Sequence, residues 1–336
     1  MQMSHVLVTG GAGMIGSNLV KRLVAEGHRV SVVDNLWRGK IENLDGRDGK
    51  PVIDLERDFT ARDLAIPDAL DELLTQVDYV VHLADIVGGI GYVFNNQSSV
   101  FRQNLLINTN VVASVSRFRR IKGYVYPGTA CSFPAHMQTG TEAPPLREED
   151  LFPAAPESAY GWSKLMGQYE AELMEQEFGI PVAVPILHNV YGLPCDFSRE
   201  RSQVIPALIR RAIDFPAEDF VVWGSGHQGR AFLHVDDAVS GIRACLEHGL
   251  GKGTIQLGPN HCTSIAEIAE QVVKISGKDI KIRFDRTKPE GDRGRCADFT
   301  KATRVLGWAP RVTLGDGLTK LYRWMEGQLA APRLPV

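Results

Sequence analysis

Between the apolar run His5-Val-Leu-Val-Thr9 and a segment with helical spacing, Ser17 to Glu26, stands Gly10-Gly-Ala-Gly-Met-Ile-Gly16. A strand that turns through glycines into a helix leaves few folds open. The missing Cβ atoms permit a tight turn and close backbone approach, and the helix N-terminus offers free amides and a partial positive charge to an anion. Two registers fit: Gly11, Gly13 and Gly16 in G-x-G-x-x-G spacing, or Gly10, Gly13 and Gly16 in the wider G-x-x-G-x-x-G. Asp34 closes a second β-branched run 18 residues after Gly16. A carboxylate there accepts hydrogen bonds from an adenosine ribose and repels a 2′-phosphate, so the segment predicts a dinucleotide site that takes NAD in preference to NADP. Arg38 and Lys40 stand close behind, where such a phosphate would be met. As a purely structural residue, Asp34 would cap a turn or a helix.

The alternation continues along the chain. His5–Thr9, Arg29–Asp34, Asp78–Ala84, Gly123–Tyr126 and Pro181–Leu187 are short apolar or β-branched runs, and Ser17–Glu26 and Asp68–Leu74 carry apolar residues at helical spacing. Continuous apolar strands separated by helices are buried on both faces. The pattern therefore predicts an α/β fold, a doubly wound parallel sheet of Rossmann type, with a smaller C-terminal substrate-binding lobe. After Asn189 the texture changes: Tyr191–Ser198 reads as a loop, Ser202–Ile213 as a helix, Phe220–Trp223 as a strand and Gly315–Glu326 as a last helix. Arg230–Asp237 reads as a return to the sheet. The dinucleotide domain is accordingly expected over 1–189 and 230–258, and the lobe over 190–229 and 259–336.

Charge and cysteine usage narrow the partners. With 37 basic against 40 acidic side chains and a net charge of −3, there is no basic stripe for a nucleic acid and no polybasic patch for a membrane surface. No apolar run approaches the roughly 20 residues of a membrane span, and Met1–His5 lacks the charged flank of a secretory leader, so a cytoplasmic location is expected. Cys131, Cys195, Cys245, Cys262 and Cys296 are scattered without a CxxC pair. They predict neither a disulfide framework nor a metal site.

Tyr160-Gly-Trp-Ser-Lys164 sets a phenol and an ammonium four residues apart, on one face of a helix. An adjacent cation lowers a phenol's pKa, which would suit Tyr160 as an acid/base near neutrality. Thr129 follows the Gly123–Tyr126 strand, where its hydroxyl is expected to face a nicotinamide pocket.

With Gly10–Gly16, Asp34, Asp58-Phe59, His82-Leu-Ala84, Thr129, Tyr160 with Lys164, Asn189-Val-Tyr-Gly192 and Gly224–Arg230, the chain resembles the extended short-chain dehydrogenase/reductases of the nucleotide-sugar epimerase and dehydratase group. The resemblance covers nearly the whole sequence. It implies a catalytic trio of Thr129, Tyr160 and Lys164, and an NAD site that includes Gly10, Gly13, Met14, Ile15, Gly16, Asp34, Asn35, Leu83 and Ala84, with Asp58 and Phe59 near the adenine. It further implies a nucleotide-diphosphate sugar as ligand, with Asn189, Arg230 and Arg293 approaching its diphosphate, and a homodimer paired through helices like the one bearing Tyr160.

Within the group the chain is most similar to the GDP-mannose 3,5-epimerases, then to the GDP-fucose synthases. This rests on Val87-Gly-Gly-Ile-Gly-Tyr92, Thr129-Ala-Cys-Ser-Phe-Pro134, Leu187–Gly192, Pro289–Arg295 and Leu306–Pro310. The loop Gly88, Gly89 to Tyr92 would then face substrate, and Cys131 would be an acid/base beside the sugar. The chemistry suits a thiol: oxidation at C4 makes a ketone, and the hydrogens on C3 and C5 become acidic. Its structural reading is a small buried hydrophobe. Trp223 reads as a platform for a nucleotide base or as core.

Departures from the pattern restrict the chemistry. Both of those families carry Lys or His as a second acid/base where this chain has Gln203, which cannot exchange a proton in that way. Epimerisation at only one of C3 and C5 follows as the expectation. His136 and His188 are geometric substitutes, whereas His82, inside a strand, reads as packing. Ala130 and Cys131 stand where 4,6-dehydratases carry Asp-Glu and decarboxylases carry Glu, which weighs against both activities. The alternatives are a pure 4-epimerase of a hexose or heptose nucleotide, and a catalytically silent NAD-binding regulator.

Overall fold

The computed structural model describes residues 3–288, 290, 291 and 293–330. Along the chain, β1 (His5–Thr9), α1 (Met14–Ala25), β2 (Arg29–Asp34), α2 (Leu55–Asp58), β3 (Phe59–Ala61), α3 (Asp71–Leu74), β4 (Tyr79–His82), α4 (Ile90–Asn95), α5 (Gln97–Arg117), β5 (Gly123–Val125), β6 (Gly128–Thr129), α6 (Ala159–Phe178) and β7 (Val182–Leu187) build the larger part. There follow β8 (Asn189–Tyr191), α7 (Val204–Asp214), β9 (Val221–Trp223), β10 (Gly229–Arg230), β11 (Phe232–His234), α8 (Val235–Ala244), β12 (Gly253–Leu257), β13 (Thr263–Ser264), α9 (Ile265–Ser276), β14 (Arg283–Asp285), α10 (Thr300–Leu306) and α11 (Leu314–Ala330).

The sheet runs β12-β7-β5-β4-β1-β2-β3, with β6 pairing beside β7, and its pairings are parallel. Side chains of a strand alternate between faces, so β1 sends Val6 and Val8 into the core under α1 and α8 and Leu7 into the core that holds Val111 of α5 and Leu165 of α6. All three are fully buried. The strand order reverses between β1 and β4, and in doubly wound sheets a crevice opens beyond the carboxyl ends of the strands at such a point. The Gly-rich turn leaves β1 there, and Leu83-Ala84 leaves β4.

Strands β1 and β2 fall on the residues expected, and the other elements deviate for local reasons. The expected helix over Asp68–Leu74 is a single turn, because Asp68 sits at φ 59 and helical backbone begins only at Asp71. Arg230–Asp237 does not rejoin the large sheet directly: β11 pairs with β8 as a separate two-stranded unit, and β12 makes the return. A third core gathers Ile205, Leu208 and Ile209 of α7, Ile268 and Val272 of α9, and Leu318 and Leu321 of α11. In contrast, α10, placed in the smaller lobe by the sequence, contributes Ala302 and Leu306 to the core under the large sheet, beside Trp308. Among the described residues no helix is long and apolar enough to cross a membrane.

Two histidines are built into this frame in neutral form. His82 places Nδ1 2.7 Å from Thr9 Oγ1 and Nε2 3.1 Å from Asn108 Oδ1, while His188 Nε2 lies 2.8 Å from Gln256 Oε1. Burial, assisted by the Lys164 charge, pushes His82 down to about 3, and burial pushes His188 down to about 4. Below pH 6.5 the unfolded chain gains protons at these rings and the folded chain does not. Stability is therefore expected to fall as pH drops from 6.5 towards 4, by roughly 2 kcal/mol per histidine at pH 5. Urea unfolding at pH 7.5 and pH 5 measures this; equal stabilities would mean that the rings take protons in the native state.

Candidate active site

A cleft of about 1800 Å³ runs from the β1 turn to the lobe, well above the usual range for one small ligand and long enough for two. Gly10, Gly13, Met14, Ile15 and Gly16 line its first end, and Gly11 does not. The close approaches say why. A Cβ on Gly16 would stand 2.2 Å from Gly10 O, and one on Gly10, at φ 64, would stand 2.8 Å from Ala84 N. Gly11 instead turns its back on Val32, whose side chain would meet a Cβ at 2.6 Å. The register facing the cleft is thus Gly10, Gly13, Gly16. Gly13 caps α1 without any side-chain bond, so the helix amides stay open to an anion.

Asp34 is buried at the end of β2 and lines the cleft with Asn35. Its Oδ2 accepts from the Ala12 amide at 3.0 Å and its Oδ1 from the Leu36 amide at 2.8 Å. Burial raises its pKa and the two amides oppose the rise. Arg38 is drawn elsewhere, donating to Val87 O at 2.9 Å and lying 3.6 Å from Asp196.

Asp58 and Phe59 do not line the cleft. Asp58 ends α2 with Oδ1 3.0 Å from Arg29 and Oδ2 2.6 Å from Arg57, and Phe59 packs on the core under α1. An Asp followed by a large apolar residue recurs five positions later, and it is Asp63 and Leu64, beyond the end of β3, that reach the cleft.

At the centre, Ser158 accepts from the Gly161 amide at 3.2 Å and starts α6, which carries Tyr160 and Lys164 on adjacent turns of one face. Thr129 ends β6, and its Oγ1 accepts from the Cys131 amide at 3.2 Å. The residue that sequence reasoning passed over is Asp85. Tyr160 Oη donates to Asp85 Oδ2 at 3.2 Å, and Lys164 Nζ lies 3.6 Å from the same oxygen and 4.3 Å above the Tyr126 ring. A carboxylate three residues beyond the strand end His82 was the available signal. The outcome for the phenol reverses the sequence expectation: desolvation, followed by the Asp85 charge, holds Tyr160 well above the ordinary phenol value. The Lys164 ammonium is lowered by burial and supported by Asp85.

Towards the lobe, the loop Gly88, Gly89 to Tyr92 lies against the head of α7. The Gly89 amide donates to Arg201 O at 3.3 Å, and a Cβ on Gly89 would stand 2.6 Å from Ser202 O, so glycine is required for this approach. Gln203 stands at that head with its side chain free of any capping bond, and it lines the cleft with Leu83, Ala84, Tyr92, Cys131, Asn189, Trp223 and Arg230. Trp223 is 39% exposed, and Lys288 Nζ lies 5.7 Å from its ring centroid. Arg293 is not in the lining. Its backbone braces β10, its carbonyl accepting from the Gly229 amide at 2.9 Å, and Arg295, buried two residues on, takes the place in the cleft. Pro289 and Asp292 of the same segment lie outside the described residues.

His136 is exposed and away from the cleft, whereas His188 is in the lining. Cys262 and Cys296, unrelated by spacing, come together through a thiol hydrogen bond that brings Cys262 to about 7. Among the described residues no group of three or more His, Cys, Asp or Glu side chains could hold a metal ion.

Fold and cleft define a class: a doubly wound protein whose cleft joins a glycine-lined helix N-terminus, fit for a dinucleotide, to a paired phenol, ammonium and carboxylate. Comparison with known proteins gives the family. Residues 6–258 match the NAD dependent epimerase/dehydratase family, and the chain belongs to it, with NAD as its cofactor. Over 326 residues the chain is 31% identical to GDP-mannose 3,5-epimerase 1 of Oryza sativa subsp. indica, covering 97% of this chain and 82% of that protein. It is 30% identical to a probable GDP-L-fucose synthase 1 of Oryza sativa subsp. japonica, covering 98% and 94%. A UDP-glucose 4-epimerase from Thermotoga maritima, solved with UDP-glucose, is similar in structure with TM-score 0.85 and 25% identity over 97% of this chain and 99% of that one. A UDP-glucuronic acid 4-epimerase from Bacillus cereus, solved with UDP-glucuronic acid and NAD, gives TM-score 0.81 and 26% identity over 97% and 99%.

Proposed function

We propose that this enzyme epimerises a nucleotide-diphosphate sugar by transient oxidation at C4 and proton exchange at one carbon beside the ketone, C3 or C5. The observation that carries the reading is Cys131 in the same cleft as Tyr160, with Gln203 at the head of α7. A thiol within reach of the ketone's neighbours supplies one acid/base, and the amide of Gln203 supplies none. NAD bound along the Gly10–Gly16 turn would accept the hydride from C4. Around it, Asp34 and Asn35 hold the adenosine ribose, Asp63 and Leu64 border the adenine, and Thr129 Oγ1 orients the sugar hydroxyl. Asn189, Arg230 and Arg295 meet the diphosphate, and the exposed face of Trp223 offers a platform to the base.

Likeness to a protein named for GDP-mannose over almost the whole chain makes GDP-hexoses the first substrates to try. Likeness to two UDP-sugar 4-epimerases supports the second reading, a pure 4-epimerase. Incubating the NAD-loaded protein with GDP-mannose or UDP-glucose is expected to give an epimer without net reduction of NAD. Accumulating NADH with no epimer would replace this reading with a dehydrogenase. A homodimer belongs to the proposal: Leu106 on α5 and Tyr169 on α6 are exposed by 43% and 53%, and light scattering at a single-chain mass would count against it.

A further inference from the structure

Between Tyr191, the end of β8, and Val204, the start of α7, the chain runs without helix or strand, and residues 193–203 are all partly exposed. Different forces hold its two sides. Leu193, Cys195 and Phe197 pack on the third core, with the Phe197 ring at 84° to Trp324 and 5.8 Å between centroids. The ties that reach the loops of the large sheet are polar. Asn18 Nδ2, in the second turn of α1, donates to Leu193 O at 2.9 Å. Arg201 donates to Trp37 O at 3.4 Å, its guanidinium lies 5.4 Å from the Trp37 ring centroid, and its carbonyl accepts from the Gly89 amide. Asp196 Oδ2 lies 3.6 Å from Arg38 and 3.4 Å from Arg201. These attachments fall on the helix after the glycine turn, the loop after Asp34 and the loop after β4, the carboxyl-end elements that frame a dinucleotide in a doubly wound sheet. Trp37, Arg38, Gly89, Leu193, Asp196 and Arg201 all line the cleft. Apolar packing keeps the segment with the lobe, whereas partly exposed ion pairs and hydrogen bonds exchange for water at small cost, so the seam opens on the sheet side. Leu36, between Asp34 and this seam, stands at φ 58, a conformation that a leucine keeps only where its surroundings hold it.

We propose that residues 193–203 form a strap over the NAD site, that Asp196 is its latch, and that NAD enters and leaves only when the latch parts. Asp196 pairs with Arg38 across the seam and, within the strap, holds Arg201, whose guanidinium rests on Trp37 across the same seam. Without its charge Arg38 and Arg201 repel each other, so both crossings weaken together. A latch that is shut with and without cofactor slows entry and exit by the same factor and leaves the dissociation constant in place. An enzyme that lends its hydride and takes it back has a use for this, since reduced cofactor lost between the two transfers strands a ketone. That use rests on the epimerase reading; the strap rests on the cofactor alone.

The test uses NADH, whose nicotinamide fluorescence reports occupancy, and no sugar. Chasing NADH-loaded protein with excess NAD reads dissociation, and mixing nucleotide-free protein with NADH reads association. Asp196→Asn keeps the shape, including the Oδ1 acceptor of the Ser198 amide at 2.9 Å, and removes the charge. Both rate constants are expected to rise about tenfold, the worth of two partly exposed polar crossings, with the dissociation constant within about threefold of that of the natural protein. Asp196→Glu, which keeps the charge, is expected to hold both rates within about threefold of the natural ones. Arg38→Met should speed both rates as Asp196→Asn does, and the double variant should be no faster than the faster single one, since the same crossing is cut once. Unchanged rates in Asp196→Asn overturn the proposal. So does faster dissociation with unchanged association, which would make Asp196 part of the shape of the cofactor pocket and not a gate. Failure here leaves the epimerase reading standing, and failure to turn over any nucleotide sugar leaves the strap standing, because the two measurements share no readout.

Discussion

Tyr160→Phe is expected to lower turnover by about 10² to 10⁴-fold, the usual worth of one positioned acid/base, with NAD binding retained. The substitution keeps the ring and removes one oxygen. That oxygen, which donates to Asp85 at 3.2 Å, is the group proposed to meet the sugar hydroxyl. Glycine turn, Asp34 and α1 are untouched, which is why calorimetry with NAD should read an affinity near that of the natural protein. Near-normal turnover by Tyr160→Phe would show that another group takes the proton.

Cys131→Ala is expected to abolish exchange of carbon-bound hydrogen with solvent while leaving C4 oxidation detectable. Turnover in heavy water reads this directly. Deprotonation beside a ketone washes deuterium into carbon, whereas a pure 4-epimerase returns the original hydride and labels nothing. The natural protein should carry label at C3 or C5 alone, because Cys131 is the acid/base proposed beside the ketone and Gln203, at the head of α7, exchanges no proton. Label at both carbons would demand a second base. Of the two histidines that the sequence offers, His188 lies in the lining, its folded pKa near 4, and His136 is exposed outside it. Efficient epimerisation with no label would leave Cys131 as a small packed side chain and favour the 4-epimerase.

Much of the frame was legible along the chain. Strands β1 and β2 coincide with the β-branched runs to the residue, since a strand buried on both faces must be apolar throughout and is bounded by the residues that turn it. The Tyr160–Lys164 pairing was legible as well, because four residues is about one helical turn. Where the sequence offered two chemically equal choices, reading along it could not choose. Gly10 or Gly11 was decided by Val32 of a neighbouring strand; Asp58, the carboxylate expected near the adenine, is held off the cleft by Arg29 and Arg57, a contact that spacing along the chain does not show.

The sequence by itself determined the doubly wound sheet, the nucleotide turn and the helix that carries the phenol, because each depends on periodicity and spacing within one short segment. The tertiary structure decided which arginine lines the cleft and in which direction the phenol's pKa moves. Arg295, buried and donating to Gln138 Oε1 at 3.1 Å, lines the cleft, whereas Arg293 meets β10 through its backbone and does not. The Tyr160 pKa is raised because the phenol is desolvated and because Asp85, 75 residues away in sequence, reaches the same few ångströms as Lys164. A pKa is set by distance and desolvation, and neither is encoded in the order of residues on one helix.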